Sequence, residues 1–268
     1  MDIRARRNDC ACQSFICMAE LHKFFLRKLG LGVDLSAKDR AALVALCTPP
    51  RQVAPWADLA AEGTPRGALI LVLSGWACQY RVLANGNRQI TRLLLPGDFS
   101  QPFGITPQRW SNSLMAMTPL TVCELPPRGL RALALSHPAI EDALWLDLYL
   151  ERDLASELII SLGRRTATER LACILAEIYF RLAAVGLAAG GTFDLPIKQA
   201  DLADLAGLSA VHVNRSLREL RRRQLVTWSN RRFEILRLRE LLDLAQFEPA
   251  NGNLLPAGVF DALQAPAK

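Results

Sequence analysis

Three features of the sequence predict an α+β fold in successive parts. Between residues 68 and 125, short apolar or alternating runs are separated by Ser74-Gly75 and Asn85-Gly86, dipeptides that supply the positive φ of tight turns, so this stretch reads as an antiparallel β unit. From Pro138 to Leu162 the pattern is that of one long helix, and beyond residue 164 helical segments and two short strands carry a surplus of arginine. The length of 268 residues and mass of 29.6 kDa exceed one usual domain and suit such a division. A hydrophobic content of 51% with 22% charged residues is a folding composition, which excludes a largely disordered chain. The longest runs free of Asp, Glu, Lys and Arg, Gly67–Tyr80 and Trp110–Cys123, have fourteen residues each. A spanning helix needs about 20 apolar residues, so no membrane segment is expected. Arg4, Arg6 and Arg7 have no apolar core behind them, so no secretory signal is read and the expected compartment is the cytoplasm. Seven scattered cysteines, an odd number in a chain this size, do not suit a disulfide framework.

Taken in order, residues 1–17 form a polar, cysteine-bearing segment without periodicity. Helical patterns follow at Met18–Leu29 and at Ser36–Cys47, where Ser36 is placed as N-cap and Asp39 completes a capping box. Ala68–Ser74, Trp76–Ala84, Arg88–Leu95, Ser111–Met117 and Leu120–Leu125 have the length and composition of strands. In the long helix, Leu144, Leu148, Glu151, Ala155, Leu158 and Leu162 are spaced 4-3-4-3-4, a coiled-coil seam that predicts a dimer interface. Glu151 facing its symmetry mate across that seam would repel, making dimerisation conditional. Gly163-Arg164-Arg165 reads as a hinge, Thr166–Ala184 as a further helix, Gly186–Gly191 as a flexible break and Pro249–Lys268 as a loose tail. The expected domains are therefore residues 1–17, a sensor unit at 18–137, a dimerisation helix at 138–163, a basic module at 164–247 and a tail at 248–268.

The net charge of +6 is unevenly placed. Between Arg164 and Arg239 there are fourteen Lys/Arg against seven Asp/Glu, leaving the rest of the chain near neutrality, which reads as a nucleic-acid footprint. Inside it, Gln199–Ala206 predicts a helix, Gly207 the left-handed turn residue, and Ser209 the N-cap of a second helix. Leu202, Leu205 and Leu208 can pack against Val213, Leu217 and Leu220. On a helical wheel Val211, Arg215, Arg218 and Arg222 then fall on the opposite face, flanked by His212 and Asn214. Bidentate donors beside an apolar group are what a major-groove helix needs to read guanine and a thymine methyl. Two short strands after it, Leu225–Trp228 and Arg232–Ile235, complete a winged helix-turn-helix.

With these pieces in place the chain resembles the Crp/Fnr transcription regulators, in its Fnr/FixK-like branch, over residues 18–245. The resemblance rests on Leu73-Ser-Gly-Trp76, Asn85-Gly-Asn-Arg-Gln-Ile90, Leu95-Pro-Gly-Asp-Phe99, His137-Pro138, Ala167-Thr-Glu-Arg-Leu171 and Val211-His-Val-Asn-Arg215, in that order. It implies an N-terminal cyclic-nucleotide-binding-like β-roll, a long dimerisation helix and a C-terminal winged helix-turn-helix. It also implies a homodimer on palindromic double-stranded DNA and contact with RNA polymerase. Val211, Asn214 and Arg215 match base-contacting positions, and Ser209 and His212 match backbone-contacting ones; Arg218 and Arg222 are placed nearer phosphates. Many members carry Glu where this chain has Val211, and valine cannot accept from cytosine N4, so the resemblance does not fix the half-site sequence.

The signal is approached in the same way. A cyclic-nucleotide cassette resembles Gly-Glu near a turn followed by Arg-Ser. The corresponding pieces here are Asp98-Phe-Ser-Gln-Pro-Phe-Gly104 and Trp110-Ser111. Trp110 holds the place of the phosphate arginine and Arg109 is displaced by one, so cyclic AMP is not expected as ligand. In the oxygen-sensing Fnr branch, Cys123 would match the distal ligand of a [4Fe–4S] cluster, with Cys10, Cys12 and Cys17 as the other three. The C-x-C-x₄-C spacing departs from that branch, so this stands as the alternative to incidental thiols. His22 and His137 read as structural, the first on a helix surface and the second capping a helix. Three histidines and no G-x-S-x-G, H-E-x-x-H or P-loop give an enzyme nothing to build on. A non-regulatory iron–sulfur carrier would leave the winged helix unexplained.

Overall fold

The computed structural model describes residues 21–101 and 109–248. Cys10, Cys12 and Cys17, the start of the first predicted helix, part of the cassette-like stretch and the predicted tail lie outside the described residues. Helix α1 (Lys23–Leu29) and helix α2 (Ala37–Leu46) lead into the β unit. The Ser36 hydroxyl accepts from the Asp39 amide and the Asp39 carboxylate accepts from the Ser36 amide, so the capping box read from the sequence is formed.

Seven strands follow: β1 (Arg51–Val53), β2 (Asp58–Ala60), β3 (Leu69–Ser74), β4 (Ala77–Val82), β5 (Arg88–Leu94), β6 (Ser113–Ala116) and β7 (Leu120–Leu125). Three-residue strands are too short to show alternation, which is why β1 and β2 carry no signal in the sequence. The strands form two antiparallel sheets, β1-β7-β3 and β2-β6-β4-β5. Strand β3 is apolar from Leu69 to Leu73, where both its faces are covered. Ile70 and Val72 share a core with Leu94, Leu114, Leu120 and Val122. Leu69, Leu71 and Leu73 meet Phe25, Leu43, Leu130 and Ile140 on the helical side. Gly75 turns the β3–β4 corner at φ +81, and a Cβ there would collide with the Pro119 carbonyl oxygen.

Helix α3 (Pro127–Ser136), which the sequence reading did not foresee, starts on a Pro-Pro pair that suits the first helical turn. Helix α4 (Pro138–Arg164) is 27 residues long and runs through Gly163, so the turn expected over Gly163-Arg164-Arg165 falls at its last residue. Arg165 holds that turn: its guanidinium donates to Ser161 Oγ and to the Ala245 and Gln246 carbonyls and pairs with Glu157. Those anchors outweigh the roughly 1 kcal/mol helix penalty of one glycine. Helix α5 (Ala167–Ala184) begins on a capping box of Thr166 and Glu169. The expected break at Gly186–Gly191 is a hairpin of β8 (Ala188–Ala189) and β9 (Thr192–Asp194), with Gly190 and Gly191 at positive φ.

Helix α6 (Gln199–Ala206) and helix α7 (Ala210–Arg222) follow, then β10 (Val226–Ser229), β11 (Arg232–Ile235) and helix α8 (Leu238–Ala245). The second four-stranded sheet runs β10-β11-β9-β8 and forms the wing. This module docks on its own β unit. Trp76, Ile90, Leu93 and Leu95 share one continuous core with Leu171, Ile178 and Leu205. Arg88 clamps the contact, its Nη2 lying 2.9 Å from Asp201 and its Nε 2.7 Å from Asp204. The Gln89 amide donates to the Leu205 carbonyl at 3.2 Å.

Candidate nucleic-acid interface and sensor residues

Gly207 closes α6 at φ +60, a left-handed conformation that glycine adopts without strain, and it lets α7 start two residues later. Ser209 caps α7 by accepting from the His212 amide at 3.3 Å, and its hydroxyl also meets His212 Nδ1 at 2.9 Å. Val213, Leu217 and Leu220 are buried with Leu202 and Leu205, as the heptad-like spacing requires. The opposite face of α7 lies open. Val211 is 76% exposed, and His212, Arg215, Arg218 and Arg222 are exposed beside it. Arg215 and Arg218 make no hydrogen bond or ion pair among the described residues. Arg222 is held differently: with Arg223 it grips Glu219, whose carboxyl is drawn down to about 2 by the bonds from Arg222 and Arg223.

Asn214 is half-buried and donates to Gln199 Oε1 at 3.3 Å, so the first residue of α6 orients it. Gln199 was missed in the sequence because its role depends on the crossing of two helices. At the tip of the wing, Asn230 and Arg231 have positive φ and Arg232 is exposed, presenting two adjacent arginines. The arginine surplus of the module is not all footprint. Arg170 donates to the Ala206 and Leu162 carbonyls, and Arg181 is bound to Asp98 and Glu177. These side chains tie the module to the rest of the chain.

The predicted seam of α4 divides: Leu144 and Glu151 are engaged inside the chain, Leu148 and Leu158 are half-buried, and Ala155 and Leu162 are exposed. Leu144 is 1% exposed in the β-unit core, and Glu151 lies 2.5 Å from Arg92 and 3.5 Å from Lys28. Leu148 lines a cavity beside Trp110, and Ala155 and Leu158 line a cleft with Ile174 and Leu205. With its charge balanced inside the chain, Glu151 has no reason to repel a symmetry mate. The open stripe lies one residue further on, at Trp145, Tyr149, Arg152, Ser156, Ile159 and Gly163, again spaced 4-3-4-3-4. Trp145 is 53% and Ile159 70% exposed, and Ile160 and Leu162 add to the same apolar surface.

Under this helix sits a buried charge cluster. Lys28 Nζ is 2.6 Å from Asp98 and 2.7 Å from Asp147, and Arg181 is 2.6 Å from Asp98. Burial opposes ionisation of Asp98, but Lys28, Arg181 and Arg92 outweigh it and hold the carboxyl well below its usual range. For Asp147 burial wins over Lys28 and pushes the carboxyl up. The contact to Lys28 is close but poorly aligned, for Asp147 Oδ1 receives no hydrogen bond.

The cavity beside Trp110 has a volume of about 300 Å³ and is lined by Arg66, Gln79, Arg92, Ser100 and Asn112. Arg66 lies over the Trp110 ring at 4.8 Å, and Arg92 donates to the Phe99 carbonyl while pairing with Glu151. The Nε atoms of both arginines are buried without partners. Asp98 is committed to the charge cluster, so it does not face a ribose, and Arg109 donates to the Gly63 carbonyl at 2.6 Å. Residues 102–108 of the cassette-like stretch lie outside the described residues.

Cys123 is 1% exposed on β7, facing the helices. His22, expected on a helix surface, is fully buried, and its Nε2 lies 3.7 Å from Cys123 Sγ. Helix α1 packs against the sheet on the side that carries His22, a burial that a 12-residue pattern could not assign to one face. Cys47 completes a set of three donors lying within 4.8 Å of one another. A four-iron cluster takes thiolates at its corners; the described neighbours of Cys123 are one imidazole and one thiol, and Cys10, Cys12 and Cys17 lie outside the described residues. His137 occupies the N-cap position of α4, but its ring faces the end of α3, near the Leu133 carbonyl.

Comparison with known proteins now bears on this geometry. Residues 50–137 match the cyclic nucleotide-binding domain family, and residues 169–244 match the Crp-like helix-turn-helix domain. The chain belongs to the Crp/Fnr family. The transcriptional activator FnrL of Cereibacter sphaeroides is 32% identical over 62% of this chain and 67% of the relative. The nitrogen fixation regulation protein FixK of Azorhizobium caulinodans is 28% identical over 80% of this chain and 85% of that one. Among solved structures, FixK2 from Bradyrhizobium japonicum superposes with a TM-score of 0.66 at 26% identity, covering 76% of this chain and 99% of FixK2. This Crp/Fnr protein is thus a DNA-binding transcriptional regulator, and family members are regulators rather than enzymes. No described helix is long and apolar enough to cross a membrane.

Proposed function

We propose that this regulator acts in the cytoplasm as a homodimer on a palindromic duplex, with two α7 helices entering the major groove one helical turn apart. The observation that carries the reading is the open face of α7, where Val211, Arg215 and Arg218 stand unengaged above a fully packed opposite face. Arg215 donates to a guanine edge, Val211 meets a thymine methyl, and Asn214, positioned by Gln199, reads the neighbouring base. Ser209, His212, Arg218 and Arg222 hold phosphates, joined by Arg231 and Arg232 of the wing. The dimer forms through the Trp145–Ile159 stripe of α4, and the bound dimer acts on RNA polymerase, in keeping with the activator names of its relatives. Cyclic AMP is not its ligand, because Trp110 and Arg66 occupy each other and Asp98 is bound elsewhere. Fluorescence anisotropy on a selected palindrome tests this. Arg215→Ala should lose about 1–3 kcal/mol and relax preference at one base pair per half-site. Unchanged preference would remove Arg215 from the base-reading set.

A further inference from the structure

We propose that His22, Cys47 and Cys123 form a mononuclear metal site for a borderline or soft ion, with zinc(II) as the reference case and copper(I) as the softer one. Neither the DNA-binding reading nor the family resemblance is needed for it. Imidazole with two thiolates is a donor set that such ions prefer over magnesium or calcium. The three donor atoms lie within 4.8 Å of one another. With bonds of about 2.3 Å to sulfur and about 2.0 Å to nitrogen, the edges of a tetrahedral site come to about 3.5–3.8 Å. The His22 Nε2 to Cys123 Sγ edge, at 3.7 Å, already has that length, and the others need to close by about 1.3 Å at most.

Charge and scaffolding favour the site further. His22 and Cys123 are both buried, so a lone thiolate there is costly. Two thiolates around a divalent ion sum to zero charge, which removes that cost, and the two protons leave to solvent as the ion enters. Three separate elements fix the donors. Cys47 ends α2, and the next residue is pinned to β7 twice: the Thr48 amide donates to the Glu124 carbonyl, and the Glu124 amide donates to Thr48 Oγ1, both at 2.9 Å. Cys123 is the β7 neighbour of Glu124, paired with Leu71 of β3. His22 sits at the head of α1, its carbonyl accepting from the Leu26 amide. Cys47 is half-buried, giving an ion a way in, and the fourth position is left for water or another donor.

An ion here clamps the head of α1, while Lys28 near its other end is clamped by Asp98 and Asp147. Occupancy therefore fixes the helix that carries the central cation beneath α4. The test uses the full chain, reduced and stripped of metal under argon, and titrated with cobalt(II). We expect one cobalt per chain, with thiolate-to-metal charge transfer in the near ultraviolet and strong tetrahedral d–d bands, both erased by one equivalent of zinc. Cys47→Ser, the mildest change because this side chain is half-buried, and His22→Asn should each weaken cobalt binding beyond the roughly 10–100-fold that changes outside the ligand shell cost. A chain with Cys10, Cys12 and Cys17 all changed to Ser should keep the site, and circular dichroism checks that each variant is folded. Cobalt binding that is absent, or indifferent to both Cys47→Ser and His22→Asn, overturns the proposal. So does anaerobic protein whose brown colour needs the three N-terminal cysteines and Cys123 but neither Cys47 nor His22, since Cys123 would then serve an iron–sulfur cluster. DNA affinity is read separately, and its loss or retention leaves the metal result standing.

Discussion

Arg215 and Arg222 both project from the solvent face of α7, yet their surroundings give them different work. Arg222 is pinned to Glu219 within its own helix, a surface pair that fixes its side chain without adding much stability. Arg222→Ala should therefore weaken all DNA sequences alike and flatten the dependence of log K on log salt by about one unit, measured by anisotropy across a salt series. Val211 offers a gain-of-preference test. Val211→Glu restores a carboxylate that can accept from cytosine N4, and selection on randomised duplexes should then enrich cytosine at one half-site position. An unchanged selected sequence would mean that position 211 does not face a base. The recognition stripe was legible in the sequence, because helical geometry places residues 211, 215, 218 and 222 together whatever surrounds them. The orientation of Asn214 was not, since Gln199 reaches it only once α6 and α7 cross.

Along helix α4 the predicted seam is divided by its surroundings, with Leu144 and Glu151 engaged inside the chain and Ala155 and Leu162 exposed. Two stripes one residue apart share the 4-3-4-3-4 spacing, and they differ by about 100° around the helix. Ile159→Glu, on the open stripe, should shift sedimentation toward monomer. Leu144→Ala should leave association intact but cost about 2–5 kcal/mol of unfolding free energy, as expected for a truncation in a close-packed core. The charge cluster beneath the helix sets a pH dependence. Asp98 has its folded-state value depressed, so its contribution is complete above the unfolded value of about 3.9 and is lost as pH falls through the folded value. Glu177 acts in the opposite sense: burial raises its folded value, so its ionisation draws stability down as pH rises above the ordinary carboxylate range. Asp98→Asn should accordingly flatten the acid limb of the stability curve below pH about 4, and denaturant midpoints measured against pH would show it. An acid limb as steep as the wild type's would place the sensitivity elsewhere.

Across the whole molecule, the winged module rests on the β unit through an apolar core and the Arg88 clamp. Asp201 is nearly buried and also receives the Lys198 amide, while Arg88 keeps about a quarter of its side chain in solvent. Removing the guanidinium leaves two carboxylates facing a docked surface. After allowing for that exposure, Arg88→Ala should cost about 1–3 kcal/mol of docking free energy. Hydrogen exchange should rise in α6 while the β3–β7 strands keep their protection. If α6 exchanged as slowly as before, the apolar core alone would hold the two parts together. The placement of α6 is thus shared between the sensor and the DNA-binding module, so a change at β5 reaches the helix-turn-helix directly.

Local patterns determined much of this protein without help from the fold. Capping residues Ser36 and Ser209, the turn at Gly207, the strand runs and the α6–α7 pair all act over a few residues, and each stands where its pattern requires. The surplus of arginine likewise signalled nucleic acid, although Arg165, Arg170 and Arg181 turned out to hold helices together. Contacts between distant segments were decided only by tertiary structure. It turned Leu144 inward, gave Glu151 to Arg92, buried His22 against a strand a hundred residues away and brought Cys47 beside Cys123. No periodicity records such neighbours, because they arise when elements that are each satisfied locally are packed against one another, and the free energy of that packing belongs to pairs of residues the chain order keeps apart.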